Sequence, residues 1–149
     1  MIPRVGHAPE ANRRYTARPG AYAILPHWGQ FLLTLQTGDQ PDVQLPGGGV
    51  DPGEQPLHAL HREVMEEIGW RIVQPRKIGV FRRFTYMPEY DLWAEKICHI
   101  YVAKPVFQIA EPIEKDHETL LLPAGRAIDA LGNDGDRLFL SRYVSRVSG

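Results

Sequence analysis

The stretch Gly47–Trp70, GGGVDPGEQPLHALHREVMEEIGW, joins a glycine-rich loop to a predicted helix. Pro56 stands where the helix would begin, because the first helical residue has no need of its N–H. Gly69 is the natural C-terminal stop. Four apolar residues recur with the helical period and predict one buried stripe that turns the glutamates to a different face. They are Leu57, Leu60, Val64 and Ile68.

Three carboxylates share this predicted helix, at Glu63, Glu66 and Glu67. Residues three and four apart are neighbours on a helix surface, and like charges at that spacing destabilise the helix. Arg62 is adjacent in sequence but projects to the side of the cluster, so it can orient or partly neutralise the carboxylates. We therefore expect a compensating cation, and a hard divalent metal that takes oxygen ligands is the first interpretation to test.

The composition is ordinary for one globular domain. The chain has 149 residues, of which 43% are hydrophobic and 23% charged. A formal net charge of −1 argues against a dedicated binder of nucleic acids or membrane surfaces, so neither is expected as a partner. The single cysteine, Cys98, fits a reducing compartment. With no apolar signal core and no apolar run of membrane-span length, we expect a cytoplasmic protein.

The rest of the chain predicts one α+β domain. Residues 1–19 are polar and predict a loosely ordered N-terminal arm or first edge segment, followed by a domain over residues 20–149. The apolar runs Ala21–Leu25 and Phe31–Gln36 flank a turn and predict a hairpin. Further elements are predicted as strands at 43–46, 71–75, 77–87 and 94–107, an acidic loop at 110–118, a short helix at 124–132 and an amphipathic segment at 136–147.

The stretch resembles the Nudix box, GX5EX7REUXEEXGU, in which U is apolar. Every specified position is filled at the right spacing, by Gly48, Glu54, Arg62, Glu63, Val64, Glu66, Glu67, Gly69 and Trp70. The chain therefore resembles the MutT-like Nudix hydrolases over residues 20–149. The resemblance implies a Nudix fold, in which a mixed β-sheet is sandwiched between α-helices as an α/β/α sandwich. Trp70 is larger than the usual aliphatic residue, and Val43 stands where many members carry tryptophan.

The resemblance also implies a chemistry. Nudix hydrolases cleave a pyrophosphate bond in a nucleoside diphosphate linked to another moiety, using Mg²⁺, for which Mn²⁺ is a possible substitute. A divalent ion neutralises phosphate charge and generates a nucleophile from water. The expected partner is a small-molecule nucleotide or other diphosphate. The implied metal ligands are Glu63, Glu66, Glu67 and the backbone carbonyl of Gly47, and the implied supporting residues are Glu54 and Arg62.

The base that activates water stays open between Glu63, Glu67 and a glutamate of the later acidic loop. That loop offers Glu114, Asp116 and Glu118. Glu118 is the predicted catalytic member, because many members of the family have a glutamate there. The histidines outside the helix share no ligand spacing and predict no zinc site: His7, His27, His99 and His117.

Two alternatives remain beside the hydrolase. One is a non-catalytic Nudix-fold module that senses a nucleotide, although the box has lost no carboxylate. The other is a hydrolase of a non-nucleotide diphosphate, although the signatures of the coenzyme A and NADH branches do not stand beside this box. The sequence leaves open the substrate, the number of metal ions and the choice between monomer and homodimer.

A group of aromatic and basic residues surrounds the predicted strand 77–87 and the loop that follows it. Their rings could stack on a base and their guanidinium groups could meet phosphates, or they could belong to the core. They are Arg82, Arg83, Phe84, Tyr86 and Trp93.

Overall fold

The computed structural model of the chain describes residues 1–148. The strands are β1 (Thr16–His27), β2 (Gln30–Gln36), β3 (Asp42–Gln44), β4 (Gly47–Gly49), β5 (Trp70–Met87), β6 (Leu92–Gln108) and β7 (His117–Pro123). The helices are α1 (Pro56–Ile68), α2 (Ala124–Ala130) and α3 (Asp134–Ser148), with a 3₁₀ turn at Pro88–Tyr90. Among these helices, none is long and apolar enough to cross a membrane.

All the strands join one mixed sheet. The strand order is β3-β2-β1-β6-β5, with β4 paired to β1 and β7 paired to β2. β1 and β6 run parallel, whereas β1 is antiparallel to both β2 and β4. The mixed sheet with flanking helices confirms the predicted fold class.

The central strand β1 supplies both cores, because successive side chains of a strand point to opposite faces. Ala21, Ala23 and Leu25 pack in one cluster with the buried residues of α1. Tyr22 and Ile24 pack in the other cluster with residues of α2 and α3. Helices therefore cover both faces of the sheet, which gives the α/β/α sandwich.

The predicted hairpin between the first two apolar runs is confirmed. His27 pairs with Gln30, which leaves a two-residue turn of Trp28 and Gly29. Both turn residues have positive φ, 51° and 76°. A turn with two positive φ values matches the right-handed twist of the flanking strands, which explains why a tight connection suffices here.

The N-terminal residues add to the edge of the sheet. Arg82 donates its backbone N–H to Pro3 at 2.9 Å, and Val5 donates to the carbonyl of Arg82 at 3.0 Å. These contacts hold residues 3–5 against β5, within the segment that the sequence predicts to be a loosely ordered arm or a first edge segment. The boundary predicted after residue 19 falls inside β1, and the division into arm and domain itself stays a prediction.

Two predicted strands are in fact one. The strand pair expected at 71–75 and 77–87 forms the continuous β5, with three register shifts against β6 between residues 71 and 79. Pro75, which suggests a break, is tolerated because β5 lies at the end of the sheet order and a missing N–H costs little there. The acidic loop is also shorter than predicted, since its last two residues begin β7.

Candidate functional site

Helix α1 has the predicted start and end. Pro56 is its first residue, and Gly69 follows the last residue with a left-handed φ of 74°. The stripe prediction is right for three residues that are fully buried: Leu60, Val64 and Ile68. It is wrong for Leu57, which is 42% exposed. Leu57 points in the direction of Val64, but it lies in the first turn, before the part of α1 that joins the core cluster.

Glu67 is buried on the packed side of α1. Its exposed fraction is 6%, so the prediction that the glutamates turn away from the apolar stripe is wrong for this residue. At 3.6 residues per turn, the seven positions from Leu60 to Glu67 make nearly two full turns, and the two side chains project in almost the same direction. Burial raises the pKa of Glu67 well above the ordinary carboxyl value, and the nearby Glu114 and Glu63 raise it further.

The glycine loop approaches this carboxylate closely. Gly47 donates its backbone N–H to Oε1 of Glu67 at 3.1 Å. Gly47 has a φ of 145°, and a side chain there would overlap the backbone of Ala21 on β1. A side chain at Gly48 would overlap the carboxylate of Glu63. Gly47 is therefore needed for the loop to lie against the acidic side of the helix, whereas a side chain at Gly48 would displace the Glu63 carboxylate.

Arg62 holds several carboxylates at once. Its Nη2 donates to Glu54 at 2.8 Å and its Nη1 donates to Glu63 at 2.8 Å. Nη1 also reaches Glu66 at 3.3 Å. These hydrogen bonds hold the pKa of Glu54 well below its usual value. Burial nevertheless raises the pKa of Glu63, and Arg62 only partly opposes that rise.

The acidic loop brings Glu114 to the helix. Ile113 and Glu114 donate their backbone N–H groups to the carbonyl of Glu66, at 2.9 and 3.4 Å. This carbonyl belongs to the last turn of α1, where carbonyls have no partner within the helix. The loop therefore caps the end of α1 and sets the Glu114 side chain beside the helix glutamates.

His117 is the functional candidate that sequence reasoning missed. Its Nδ1 lies 3.4 Å from Oε2 of Glu67, and its Nε2 lies 3.3 Å from Oε2 of Glu114. Nδ1 also lies 3.1 Å from the hydroxyl of Thr34 on β2. Residues 117–123 pair with β2, more than 80 residues earlier, and that pairing rather than any local spacing positions the ring.

Glu118, the predicted catalytic member of the loop, is not brought to this cluster. It follows His117 directly on β7 and is exposed, because alternate strand residues point to opposite faces. Asp116 is also exposed and contributes its backbone carbonyl to Thr37. Of the three loop carboxylates, Glu114 is the one that the structure places beside Glu67.

Two overlapping groups of these side chains could hold a metal ion. One comprises Glu67, Glu114 and His117, and the other comprises Glu63, Glu66 and Glu114. In each group the ligand atoms lie within 4.8 Å of one another. Opposite ligands of an octahedral Mg²⁺ are about 4.2 Å apart, so small side-chain movements would let each group bind one ion.

A cavity of about 720 Å³ opens beside the carboxylates. It is lined by the glycine loop and by Glu54, Glu63, Glu67 and Glu114. Its lining also includes sheet residues, among them Arg18, Tyr22, Lys96, Gln36 and Gln44. The cavity therefore combines carboxylates with two basic side chains, a composition suited to metal ions together with an anionic ligand.

The aromatic residues noted in the sequence line a second cavity, of about 930 Å³. Phe84, Tyr86 and Trp93 form part of its wall together with residues of the N-terminal segment. The guanidinium carbon of Arg13 lies 3.6 Å from the ring centroid of Trp93. Arg82 instead pairs with Glu95 at 3.2 Å.

A family model described as the NUDIX domain matches residues 15–142, most of the chain. The chain belongs to the NUDIX family. Its fold is also that of a solved NUDIX protein, the MutT NUDIX hydrolase from Burkholderia pseudomallei. That structure superposes with a TM-score of 0.65 at 23% identity, over 85% of this chain and 97% of the other.

Two curated relatives of this NUDIX protein carry the names of enzymes. The 8-oxo-(d)GTP phosphatase of Mycolicibacterium smegmatis is 33% identical over 106 residues, which cover 70% of this chain and 31% of that protein. The RNA pyrophosphohydrolase of Helicobacter pylori is 69% identical over 57 residues, which cover 35% of this chain and 37% of that protein. The chain spans half or less of the length of the curated relatives it matches.

Proposed function

We propose that this NUDIX protein hydrolyses a pyrophosphate bond in a nucleoside diphosphate linked to another moiety, with Mg²⁺ as the metal and Mn²⁺ as a substitute. The observation that carries the proposal is the convergence of Glu63, Glu66, Glu67 and Glu114, of which all but Glu66 line the cavity. Four carboxylates this close repel one another, and one arginine does not compensate for all of them. A divalent cation bound between the carboxylates would offset this repulsion.

The donor set suits the proposed ions. Glu63, Glu66 and Glu114 offer oxygen only, which is the ligand type that Mg²⁺ prefers. The group with Glu67 and Glu114 adds an imidazole from His117, and first-row transition ions such as Mn²⁺ accept nitrogen more readily than Mg²⁺ does. The Gly47 carbonyl as a further ligand stays a prediction. When bound, such an ion would neutralise phosphate charge and acidify a water molecule.

The reaction adds one water molecule across a P–O–P linkage. The water oxygen bonds to phosphorus, the bond from that phosphorus to the bridging oxygen breaks, and the bridging oxygen leaves on the other phosphate group. The proton lost by the water passes to a carboxylate. Among the carboxylates of the acidic loop we propose Glu114 for this role, because it belongs to both groups of candidate metal ligands. Arg62 would hold Glu54 and Glu63 in place during the reaction.

A panel of compounds assayed with Mg²⁺ and then with Mn²⁺ tests the function. It comprises nucleoside triphosphates with normal and oxidised bases, sugar nucleotides, ADP-ribose, dinucleoside polyphosphates and a short RNA with a 5′-triphosphate. The RNA is included because one relative is named for RNA, although the net charge predicts no nucleic-acid partner. We expect metal-dependent product from at least one nucleotide. Saturable binding without any product would instead favour the nucleotide-sensing module.

A pair of substitutions decides which carboxylate of the acidic loop takes part. Glu114→Gln is expected to lower kcat/KM by about 10- to 100-fold, because it removes a ligand shared by both groups. Glu118→Gln should have a much smaller effect, because that side chain is exposed on the opposite side of β7. Glu111→Gln, in the same loop and also exposed, is the control for a general loss of negative charge. A larger loss in the Glu118 variant than in the Glu114 variant would contradict the assignment.

A further inference from the structure

Asp136 is a buried carboxylate for which the proposed reaction has no role. It lies in the first turn of α3, and only 4% of the residue is exposed. Within residues 1–148, it forms no ion pair. Burial raises the pKa of its carboxyl group, although Arg83 and Lys96 are close enough to oppose that rise. A carboxylate buried without an ion-pair partner is costly to the fold, so its hydrogen bonds must account for it.

Helix α3 does not need this carboxylate for its own start. Asn133 directly precedes the helix, and its Oδ1 accepts the backbone N–H of Asp136 at 2.8 Å, as an N-cap residue does. Asp134 is also in the first turn, and it places a negative charge at the positive end of the helix from an exposed position. The contact that requires a carboxylate at Asp136 therefore lies outside the helix.

That contact is with the segment that leads into the glycine loop. Oδ2 of Asp136 accepts the backbone N–H of Leu45 at 3.1 Å. Leu45 is 1% exposed, so its N–H would have no access to water if this bond were lost. Close by, Gly132 donates its backbone N–H to the carbonyl of Val43 at 2.9 Å. The start of α3 therefore holds residues 43–45 through two hydrogen bonds.

These residues lead directly to the candidate metal site. The carbonyl of Pro46 accepts the N–H of Ala23 on β1 at 2.9 Å, and Gly47 donates its N–H to Glu67 at 3.1 Å. Only Pro46 separates Leu45 from Gly47. The proline ring fixes its own φ and also restricts the residue before it, so this short connection is stiff. A displacement at Leu45 would therefore be passed on to Gly47.

We propose that Asp136 is a positioning residue for the candidate metal site: its hydrogen bond to Leu45 holds the glycine loop so that the backbone of Gly47 stays against Glu67. Asp136 is not among the residues that line the cavity of about 720 Å³, so it acts through the loop rather than on a ligand. Its effect on a reaction rests on the hydrolase function proposed above, whereas its effect on the loop does not.

Three substitutions in the same helix separate positioning from stability. Asp136→Asn keeps a side-chain carbonyl that can accept the N–H of Leu45. Asp136→Leu has a similar size but no acceptor, and Asp136→Ala takes its place if the leucine variant does not fold. Leu140→Ala is the matched control, because it removes a fully buried side chain one turn further along α3 and leaves both hydrogen bonds to residues 43–45 in place.

Hydrogen exchange of the Gly47 amide in the metal-free protein measures the position of the loop without any reaction. The quantity compared is its exchange rate divided by that of the amides in the buried part of β6, since general destabilisation raises both rates together. This ratio should rise at least about tenfold in Asp136→Leu, because the anchor at Leu45 is lost. It should stay within about threefold of the wild-type value in Asp136→Asn and in Leu140→Ala.

Calorimetry with Mn²⁺ measures the consequence for the metal site. We expect binding to Asp136→Leu to be at least about tenfold weaker than to the wild type, and binding to Asp136→Asn and Leu140→Ala to be nearly unchanged. If both measurements agree with these expectations but no compound is hydrolysed, the proposed function fails and the positioning role stands.

Three results would overturn the positioning role. One is an unchanged exchange ratio or an unchanged Mn²⁺ affinity in the variant that lacks the acceptor. Another is a loss in Asp136→Asn or in Leu140→Ala as large as in Asp136→Leu, which would show that the residue only stabilises α3. The third is a wild type that binds no Mn²⁺, because there would then be no metal site to position.

Discussion

Replacing Glu67 with glutamine is expected to lower the metal-dependent turnover by about 10³-fold or more and to leave the fold intact. Glu67 belongs to the candidate metal site that also contains His117 and Glu114. Loss of its charge should remove several kcal/mol of metal-assisted stabilisation of the transition state, and each ~1.4 kcal/mol is a factor of ten in rate. Glutamine keeps the shape of the side chain, and its carbonyl can still accept the N–H of Gly47. The turnover of the best substrate from the panel measures the effect.

The same variant has a predicted effect on stability that depends on pH. Burial raises the pKa of Glu67, so the folded metal-free protein binds this proton more readily than the unfolded chain does. The resulting stability is complete below the ordinary carboxyl pKa and is lost as the pH rises through the raised value. Without metal, Glu67→Gln should therefore melt at a higher temperature than the wild type near about pH 8, and the difference should shrink near about pH 5.

Glu111→Gln is the control for both measurements, since it makes the same chemical change at an exposed position. Near-full turnover of Glu67→Gln with Mg²⁺ would contradict the assignment of this residue to the metal site. A lower melting temperature than the wild type at high pH would contradict the claim that the buried charge is a cost in the metal-free protein.

Arg62→Met should weaken both the fold and the metal site. The substitution leaves Glu54, Glu63 and Glu66 without the guanidinium that now contacts all three. We expect the free energy of unfolding to fall by about 2 kcal/mol, since these hydrogen bonds are charge-assisted and only partly exposed to solvent. Affinity for the metal should fall by about 10- to 100-fold, the usual cost of losing a residue that positions ligands.

Two further variants interpret that result. Arg62→Lys keeps the charge but lacks the planar guanidinium that now bonds Glu54 and Glu63 from separate nitrogens, so it should recover part of the stability and little of the metal affinity. Arg71→Met removes an exposed arginine and should leave both quantities unchanged. Denaturant unfolding and metal titration provide the readouts. Wild-type metal affinity in Arg62→Met would show that the guanidinium does not position the glutamates.

The helix and most of its acidic side could be predicted because their signals are local. Pro56, Gly69 and the spacing of the glutamates lie in one continuous stretch, and backbone geometry alone translates them into positions on a helix. The burial of Glu67 follows from the same geometry, through its seven-residue spacing from Leu60. The prediction from sequence misses this burial because it assigns all the glutamates of the helix to the exposed side.

The rest of the candidate site depends on contacts between distant parts of the chain. Glu114 reaches the site because its loop caps the carbonyl of Glu66. No sequence pattern in residues 110–118 predicts that contact. His117 reaches it because β7 pairs with β2. Arg18 and Lys96 line the same cavity because β1 and β6 pair in the register that sets them side by side, and that register is not visible in the sequence.

Titration of Mn²⁺ into the wild type and into Glu67→Gln, followed by calorimetry near about pH 7.5, tests most directly whether the carboxylate cluster is a metal site. Binding to the wild type that is weakened at least about tenfold in Glu67→Gln, and unchanged in Glu111→Gln, is the predicted result. Equal affinity in all three proteins, or no binding to the wild type, would contradict it.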